Sequence, residues 1–140
     1  MTTETGGNAA GAPLEEGLVE VSETGAGHYI NTVRAGRHTL TADEPVNVGG
    51  QDAGPGPYDY LLGALGACTS ITVRMYADRK KIPLSHISVR LTQKKIHAED
   101  CADCENKQGQ ITEITRDIRL EGDMTAEQRT MLLNIANKCP

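Results

Sequence analysis

The longest hydrophobic stretch of the chain spans residues 57–81, and its apolar and small side chains cover nearly the whole surface of a helix. Pro57 suits the first helical position, and basic residues 79–81 complement the C-terminal end before Pro83 stops the helix. Because a helix that is apolar nearly all round must be buried, the pattern predicts a buried central helix. One of its faces carries Leu61, Ala64, Leu65, Cys68, Ile71, Thr72 and Met75.

Alternating apolar and polar residues predict short strands on both sides of this helix. Three strands are predicted before it, at residues 18–23, 27–34 and 37–42, joined by glycine-containing turns of the hairpin type. After the helix, residues 86–97 and 110–122 each place their apolar side chains on one face. These two segments predict an antiparallel hairpin whose apolar face packs against the central helix.

An amphipathic helix is predicted at the end of the chain. A capping-box sequence begins at Thr125, and apolar residues then recur at helical spacing as far as Cys139. Residues 1–16 are polar and rich in glycine and alanine, which predicts a disordered leader before a single domain at residues 17–140. The order β-β-β-α-β-β-α predicts an α+β fold with antiparallel sheets packed on the central helix.

The central helix is too apolar to be covered by one thin layer of sheet. The part left uncovered would form an apolar patch of the size that marks protein interfaces. The sequence therefore predicts an obligate homodimer. The alternative is a monomer in which the last helix completes the burial.

Composition and charge narrow the function classes. The 140 residues carry a formal net charge of −5 with only two short basic runs, which argues against nucleic acid binding. The N-terminal residues lack the basic flank and apolar run of a signal peptide, and Tyr58, Asp59 and Arg74 interrupt the longest apolar stretch. We therefore expect no membrane association and a reducing cytoplasm, where the four cysteines are more often chemical than structural.

Cys68 is the first candidate for chemistry, since it lies at the centre of the central helix after a run of small residues. A buried, inert cysteine is the alternative interpretation. A reactive thiol needs solvent access and a nearby cation or hydrogen-bond donor. An arginine from the early strands is the better candidate for this cation, because Arg74 is rotated off the face of Cys68. The candidates are Arg34, Arg37, His38 and Arg74.

The other cysteines allow two further kinds of site. Cys139 would meet Cys68 if the two helices pack together, which would give a thiol and a resolving thiol; otherwise it is a core cysteine. His97, Cys101 and Cys104 have spacing that permits zinc, but a closed structural site needs a fourth ligand, and none is nearby in sequence. A redox pair and an inert surface loop remain alternatives for this segment, and no metal site is assigned.

Three segments carry a family likeness: PYDYLLGALGACT at residues 57–69, GDMTAEQR at 122–129 and NKCP at 137–140. They resemble the OsmC/Ohr family of osmotically inducible and organic hydroperoxide resistance proteins. The resemblance implies an OsmC-like fold and an intertwined homodimer with a site at the subunit interface. It also implies a cysteine-based peroxidase that reduces organic hydroperoxides with thiols, in which Cys68 matches the peroxidatic cysteine and Cys139 the resolving one.

The resemblance implies two more site residues and no cofactor beyond an external dithiol reductant. Asp59 stands where the family has a glutamate that orients the catalytic arginine, with Tyr58 as the alternative, and that arginine maps to Arg37, with Arg34 second. The shorter aspartate and the end at Pro140, where relatives usually continue with apolar residues, depart from the family pattern. The alternative function is a non-enzymatic OsmC-like domain that binds or senses an apolar small molecule at the dimer interface.

Overall fold

A computed structural model of the chain describes residues 11–98, 105 and 108–138. The described residues form a three-stranded and a two-stranded antiparallel sheet, with two α-helices. The chain divides into two compact units, Met1–Tyr60 and Leu61–Pro140. The elements in chain order are β1 (Val19–Glu23), β2 (Asn31–Ala35), β3 (His38–Ala42), a short 3-10 helix (Val46–Val48), α1 (Pro57–Lys80), β4 (His86–His97), β5 (Gln110–Glu121) and α2 (Ala126–Ala136).

The α+β fold predicted from the sequence is confirmed, and the elements occur in the predicted order. The largest difference is at β2, which begins at Asn31 and not at residue 27. The physical reason is a wider loop that Thr24 closes: its N–H and its hydroxyl both donate to the Ile30 carbonyl, at 3.0 and 3.1 Å. The backbone of residues 25–29 therefore turns and does not pair.

The first unit is built on the meander β1-β2-β3. Residues 11–16 of the predicted leader lie within the described chain. There Leu14 is buried, and its N–H donates to the Gly36 carbonyl at 3.0 Å. Arg34 also donates to the Ala12 carbonyl at 2.5 Å. These contacts attach the described part of the leader to the first sheet.

The second unit packs α1 and α2 with the β4-β5 hairpin around one aliphatic core. The hairpin pairs in register from His86 with Glu121 to His97 with Gln110, so the apolar residues of both strands share a face. Among the described residues, the fully buried part of this core contains no aromatic residue. Its buried members are Val73, Ala77, Ile82, Leu84, Leu120, Leu132 and Ala136.

Only one face of α1 is buried within the described chain. Gly66, Thr69, Val73 and Ala77 form this face. On other sides of the helix, exposed apolar residues include Leu61, Ile71 and Met75, which are 53%, 59% and 66% exposed. α2 therefore does not complete the burial of α1 in the described residues, and the homodimer stays a prediction. Among the described residues no helix is long and apolar enough to span a bilayer.

α2 is shorter than the sequence predicts. Its N-terminus carries the predicted capping box: the Thr125 hydroxyl accepts from Gln128 N–H at 3.1 Å, and the Gln128 side chain accepts from Thr125 N–H at 3.0 Å. The helix ends at Ala136, and Asn137 is its C-cap. Cys139, predicted to lie on its apolar face, is beyond the end of the helix and outside the described residues.

Candidate functional site

Cys68 lies in the middle of α1, within the second unit, and is half-buried. The residue is therefore not sealed in the core, whereas its predicted role as a reactive thiol stays a prediction. Cys68 is disulfide-bonded. It is also the only one of the four cysteines inside the described residues. Pairing with Cys139 therefore stays a prediction.

The residue after Cys68 takes part in a hydrogen-bond network that runs from the core to the surface. Thr69 is fully buried, and its hydroxyl donates to the Leu65 carbonyl at 2.9 Å. The same oxygen accepts a hydrogen bond of 2.8 Å from Nη1 of Arg116, on β5. A second nitrogen of that guanidinium, Nη2, donates to Oδ1 of Asn137 at 3.1 Å. One cation thus joins α1, next to Cys68, to the C-cap of α2.

Arg116 was not among the cations that the sequence pointed to, although a signal for it exists. Apolar residues of β5 occupy alternate positions at Ile114, Ile118 and Leu120, and position 116 falls in the same phase. An arginine in that phase faces the core side of the sheet. A charged residue at an apolar position is the pattern that would have revealed it.

The arginines predicted to serve Cys68 lie in the first unit. Arg34 forms an ion pair of 3.1 Å with Glu20 on the neighbouring strand, so it is used within the sheet. Arg37 is exposed in the two-residue turn between β2 and β3. Because Arg37 belongs to the first unit and Cys68 to the second, their grouping into one site stays a prediction.

Asp59 occupies the first turn of α1 and caps the helix. Its Oδ2 accepts a hydrogen bond of 2.9 Å from the Gly56 N–H, one of the donors that the start of a helix leaves unpaired. The negative charge also suits the positive end of the helix dipole. This contact gives Asp59 a structural role, while its predicted role in orienting an arginine is untested.

The remaining predicted candidates have other contacts or lie outside the described residues. Arg74 donates to the Leu84 carbonyl at 2.6 Å, which ties α1 to the start of the hairpin. His97 is exposed at the end of β4. Cys101 and Cys104 lie outside the described residues, and no cluster of three metal-binding side chains occurs within the described part.

Asp43 is a buried carboxylate that sequence reasoning did not single out. It is 2% exposed and accepts backbone hydrogen bonds from Glu44 at 2.8 Å, Gln51 at 2.9 Å and Ala53 at 3.1 Å. Burial raises the pKa of the carboxyl, but the three backbone donors outweigh it, so the pKa is lowered from 3.8. Gly50 passes so close to the Glu44 carbonyl that a side chain there would collide with it.

A cavity of about 450 Å³ opens beside Asp43 in the first unit. Its wall is mainly apolar, and its size falls in the range of small-molecule sites, about 300–1,000 Å³. The Tyr60 hydroxyl, at the start of α1, donates to the Thr41 carbonyl and fixes one side of the wall. The apolar lining consists of Val21, Tyr29, Val33, Ala42, Pro57 and Tyr60.

The sequence matches one protein family. Residues 49–140 match the family described as OsmC-like protein, and this region includes α1, the hairpin and α2. No curated protein matches the chain.

Several solved structures share the fold at low sequence identity. An osmotic stress induced and detoxification response protein from Psychrobacter arcticus superposes with a TM-score of 0.67 at 18% identity, covering 87% of this chain and 82% of that one. An OsmC-like protein from Mycoplasma pneumoniae gives 0.64 at 18% identity, covering 90% and 85%. An organic hydroperoxide resistance protein from Legionella pneumophila gives 0.60 at 16% identity, covering 95% and 88%.

Proposed function

Because the chain belongs to the OsmC-like protein family, we propose that it is a thiol peroxidase that reduces organic hydroperoxides. The observation that carries the proposal is the placement of Cys68. This residue is half-buried on α1 and engaged in a disulfide, in contrast to an inert cysteine sealed in a core. The Legionella relative, which has the same fold, is described as an organic hydroperoxide resistance protein.

The proposed reaction has two steps. The Cys68 thiolate attacks the outer oxygen of the hydroperoxide, so that an S–O bond forms, the O–O bond breaks and an alcohol leaves after taking up a proton. Sulfur is oxidised by two electrons to a sulfenic acid. The Cys139 thiol then attacks this sulfur, forming the disulfide and releasing water, and an external dithiol reduces the disulfide.

Arg37 and Asp59 complete the proposed site. A guanidinium favours the thiolate over the thiol and stabilises charge on the departing oxygen. Arg37 is the better candidate because Arg34 is already paired with Glu20. Asp59 would orient that guanidinium through Oδ1, since its Oδ2 is used by the Gly56 N–H.

Turnover with a defined hydroperoxide tests the proposal. Reduced protein is mixed with cumene hydroperoxide and excess dithiothreitol, and consumption of the hydroperoxide is followed. We expect turnover by the wild type and by a Cys101→Ser/Cys104→Ser control, and none by Cys68→Ser. Lack of turnover by the wild type, or turnover that survives Cys68→Ser, refutes the proposal.

We propose that the active form is a homodimer in the cytoplasm, where dithiol reductants are available. The exposed Leu61, Ile71 and Met75 on α1 support a dimer, because apolar residues of this size are costly to leave in water. Sedimentation equilibrium should give twice the mass of the chain. Met75→Glu should shift the equilibrium toward the monomer, and a wild type that is monomeric at every concentration contradicts the proposal.

The cavity in the first unit favours a second candidate function, the binding of an apolar small molecule without chemistry. Its volume suits such a ligand, and its wall is mainly apolar. This function predicts a ligand that co-purifies and is released by organic solvent, together with a thiol titre that a brief exposure to hydroperoxide leaves unchanged. Extraction followed by mass spectrometry, with a thiol titration on the same sample, distinguishes the two candidates.

A further inference from the structure

Arg116 has an unusual position for an arginine. It shares the phase of Ile118 and Leu120 on β5 and is half-buried on the side of the sheet that packs against α1. Its described acceptors, on Thr69 and Asn137, are neutral oxygens. Placing a guanidinium at such a position costs desolvation energy that a leucine would avoid.

The two contacts of Arg116 join parts of the chain that are far apart in sequence. Thr69 directly follows Cys68, and Asn137 lies two residues before Cys139. The planar guanidinium holds both acceptors in a fixed relation, which a flexible ammonium cannot do. The Thr69 hydroxyl uses its proton for Leu65, so its oxygen is oriented to accept from Arg116.

Asn137 directly follows α2, which ends at Ala136. Asn137 donates backbone N–H bonds only to the last turn of its own helix, at Leu133 and Ile135. A hydrogen bond from Arg116 links Asn137 to β5, and the same guanidinium also reaches α1 at Thr69.

We propose that Arg116 is a positioning residue that holds the segment carrying Cys139 against α1 at Cys68 and thereby sets how readily the two sulfurs join. The proposal rests on the proposed function for its role in turnover. Arg116 acts in the second step, formation of the disulfide, whereas Cys68 and Arg37 carry out the attack on the hydroperoxide. Two variants remove the bridge from opposite ends, Arg116→Met and Asn137→Ala.

Thiol exchange with glutathione measures this positioning without any hydroperoxide. Cys68 and Cys139 pass two electrons to glutathione disulfide, so one protein disulfide and two glutathione thiols form, and the equilibrium constant is the effective concentration of one cysteine at the other. The full-length protein carries Cys101→Ser and Cys104→Ser so that only this pair reacts. We expect the effective concentration to fall about tenfold in both variants, the size expected when a hydrogen bond to a charged group is lost.

Two further variants separate the bridge from general effects of charge or stability. Arg116→Lys keeps the positive charge but cannot span two acceptors, so its effective concentration should fall like that of Arg116→Met. Arg119→Met, on the same strand but with an exposed side chain, should match the parent protein. The proposal is wrong if the effective concentration is unchanged in Arg116→Met and Asn137→Ala, if Arg116→Lys retains the parent value, or if Arg119→Met falls equally.

A hydroperoxide experiment then links the bridge to turnover. If disulfide formation with Cys139 is slower, the sulfenic acid on Cys68 lives longer and more often reacts with a second hydroperoxide. That reaction oxidises it to a sulfinic acid and releases the alcohol. Mass spectrometry should therefore find more sulfinic acid on Cys68 in Arg116→Met than in Arg119→Met after equal exposure. If the wild type does not react with hydroperoxide, the proposed function fails, whereas the glutathione result still decides the role of Arg116.

Discussion

Replacing Gly66 by alanine measures how tightly α1 packs on the β4-β5 hairpin. A Cβ at this position would lie 2.8 Å from Cδ1 of Leu91, whereas carbon atoms in contact prefer about 3.5–4.0 Å. Within a helix, alanine in place of glycine stabilises the folded protein by about 1 kcal/mol through its higher helix propensity. Overpacking a close contact costs about 1–3 kcal/mol, and the atom met here is a terminal methyl of Leu91 that can shift, which favours the lower end. Gly66→Ala should therefore range from neutral to a destabilisation of about 2 kcal/mol.

Gly63 provides a matched control one turn earlier in the same helix. An added Cβ there has no described atom within 4 Å. Gly63→Ala should therefore show the helix gain alone and raise the free energy of unfolding by about 0.5–1 kcal/mol. The two variants differ in tertiary contact but share the same change in helix propensity.

Urea unfolding followed by circular dichroism compares the two alanines. With a slope of about 2 kcal/mol per molar urea, the midpoint of Gly66→Ala should lie about 0.3–1.5 M below that of Gly63→Ala. Protein concentration must be equal throughout, because association would shift every midpoint. If Gly66→Ala is stabilised as much as Gly63→Ala, the close packing of α1 on Leu91 is refuted.

Two other predictions concern a buried carboxylate and a helix cap. Because the pKa of Asp43 is lowered in the folded chain, its stabilising effect is complete above pH 3.8 and is lost as the pH falls through the lower folded value. Urea midpoints at several pH values give the difference in stability between the wild type and Asp43→Asn. This difference should be largest near neutral pH and should shrink below pH 3.8. A difference that stays constant with pH contradicts the prediction. Thr125→Ala removes the helix cap and should lower stability by about 0.5–2 kcal/mol, as measured by thermal unfolding. The control Thr130→Ala, within the same helix, should leave thermal unfolding nearly unchanged. Equal losses in both variants would argue against the cap.

Local sequence signals were sufficient for most of the fold. The alternation along β4 and β5 and the capping box at Thr125 are complete within a few residues, so strand and helix positions could be predicted closely. The start of β2 was missed because Thr24 closes a wider loop through Ile30, and turn propensities alone do not show which hydroxyl will do so.

The candidate site could be predicted only in part. Cys68 stands out in the sequence because it interrupts an apolar helix. Asp43 does not, because its backbone donors at Gln51 and Ala53 lie eight and ten residues further along the chain and no periodic pattern marks them. Arg116 was overlooked for a different reason. Helix periodicity relates Cys68 only to residues near it in sequence, whereas this guanidinium reaches Thr69 from a strand 47 positions away.

The arginine within the apolar face of β5 also has a consequence for engineering. A partly buried ion exchanged for hydrocarbon of similar volume is often neutral or stabilising. A heat-resistance screen of random β5 libraries would therefore enrich leucine or methionine at position 116 and report an improved protein. If Arg116 acts as proposed, such a variant would store well but would be inactivated sooner by oxidant, so the screen would select storage stability at the expense of working lifetime.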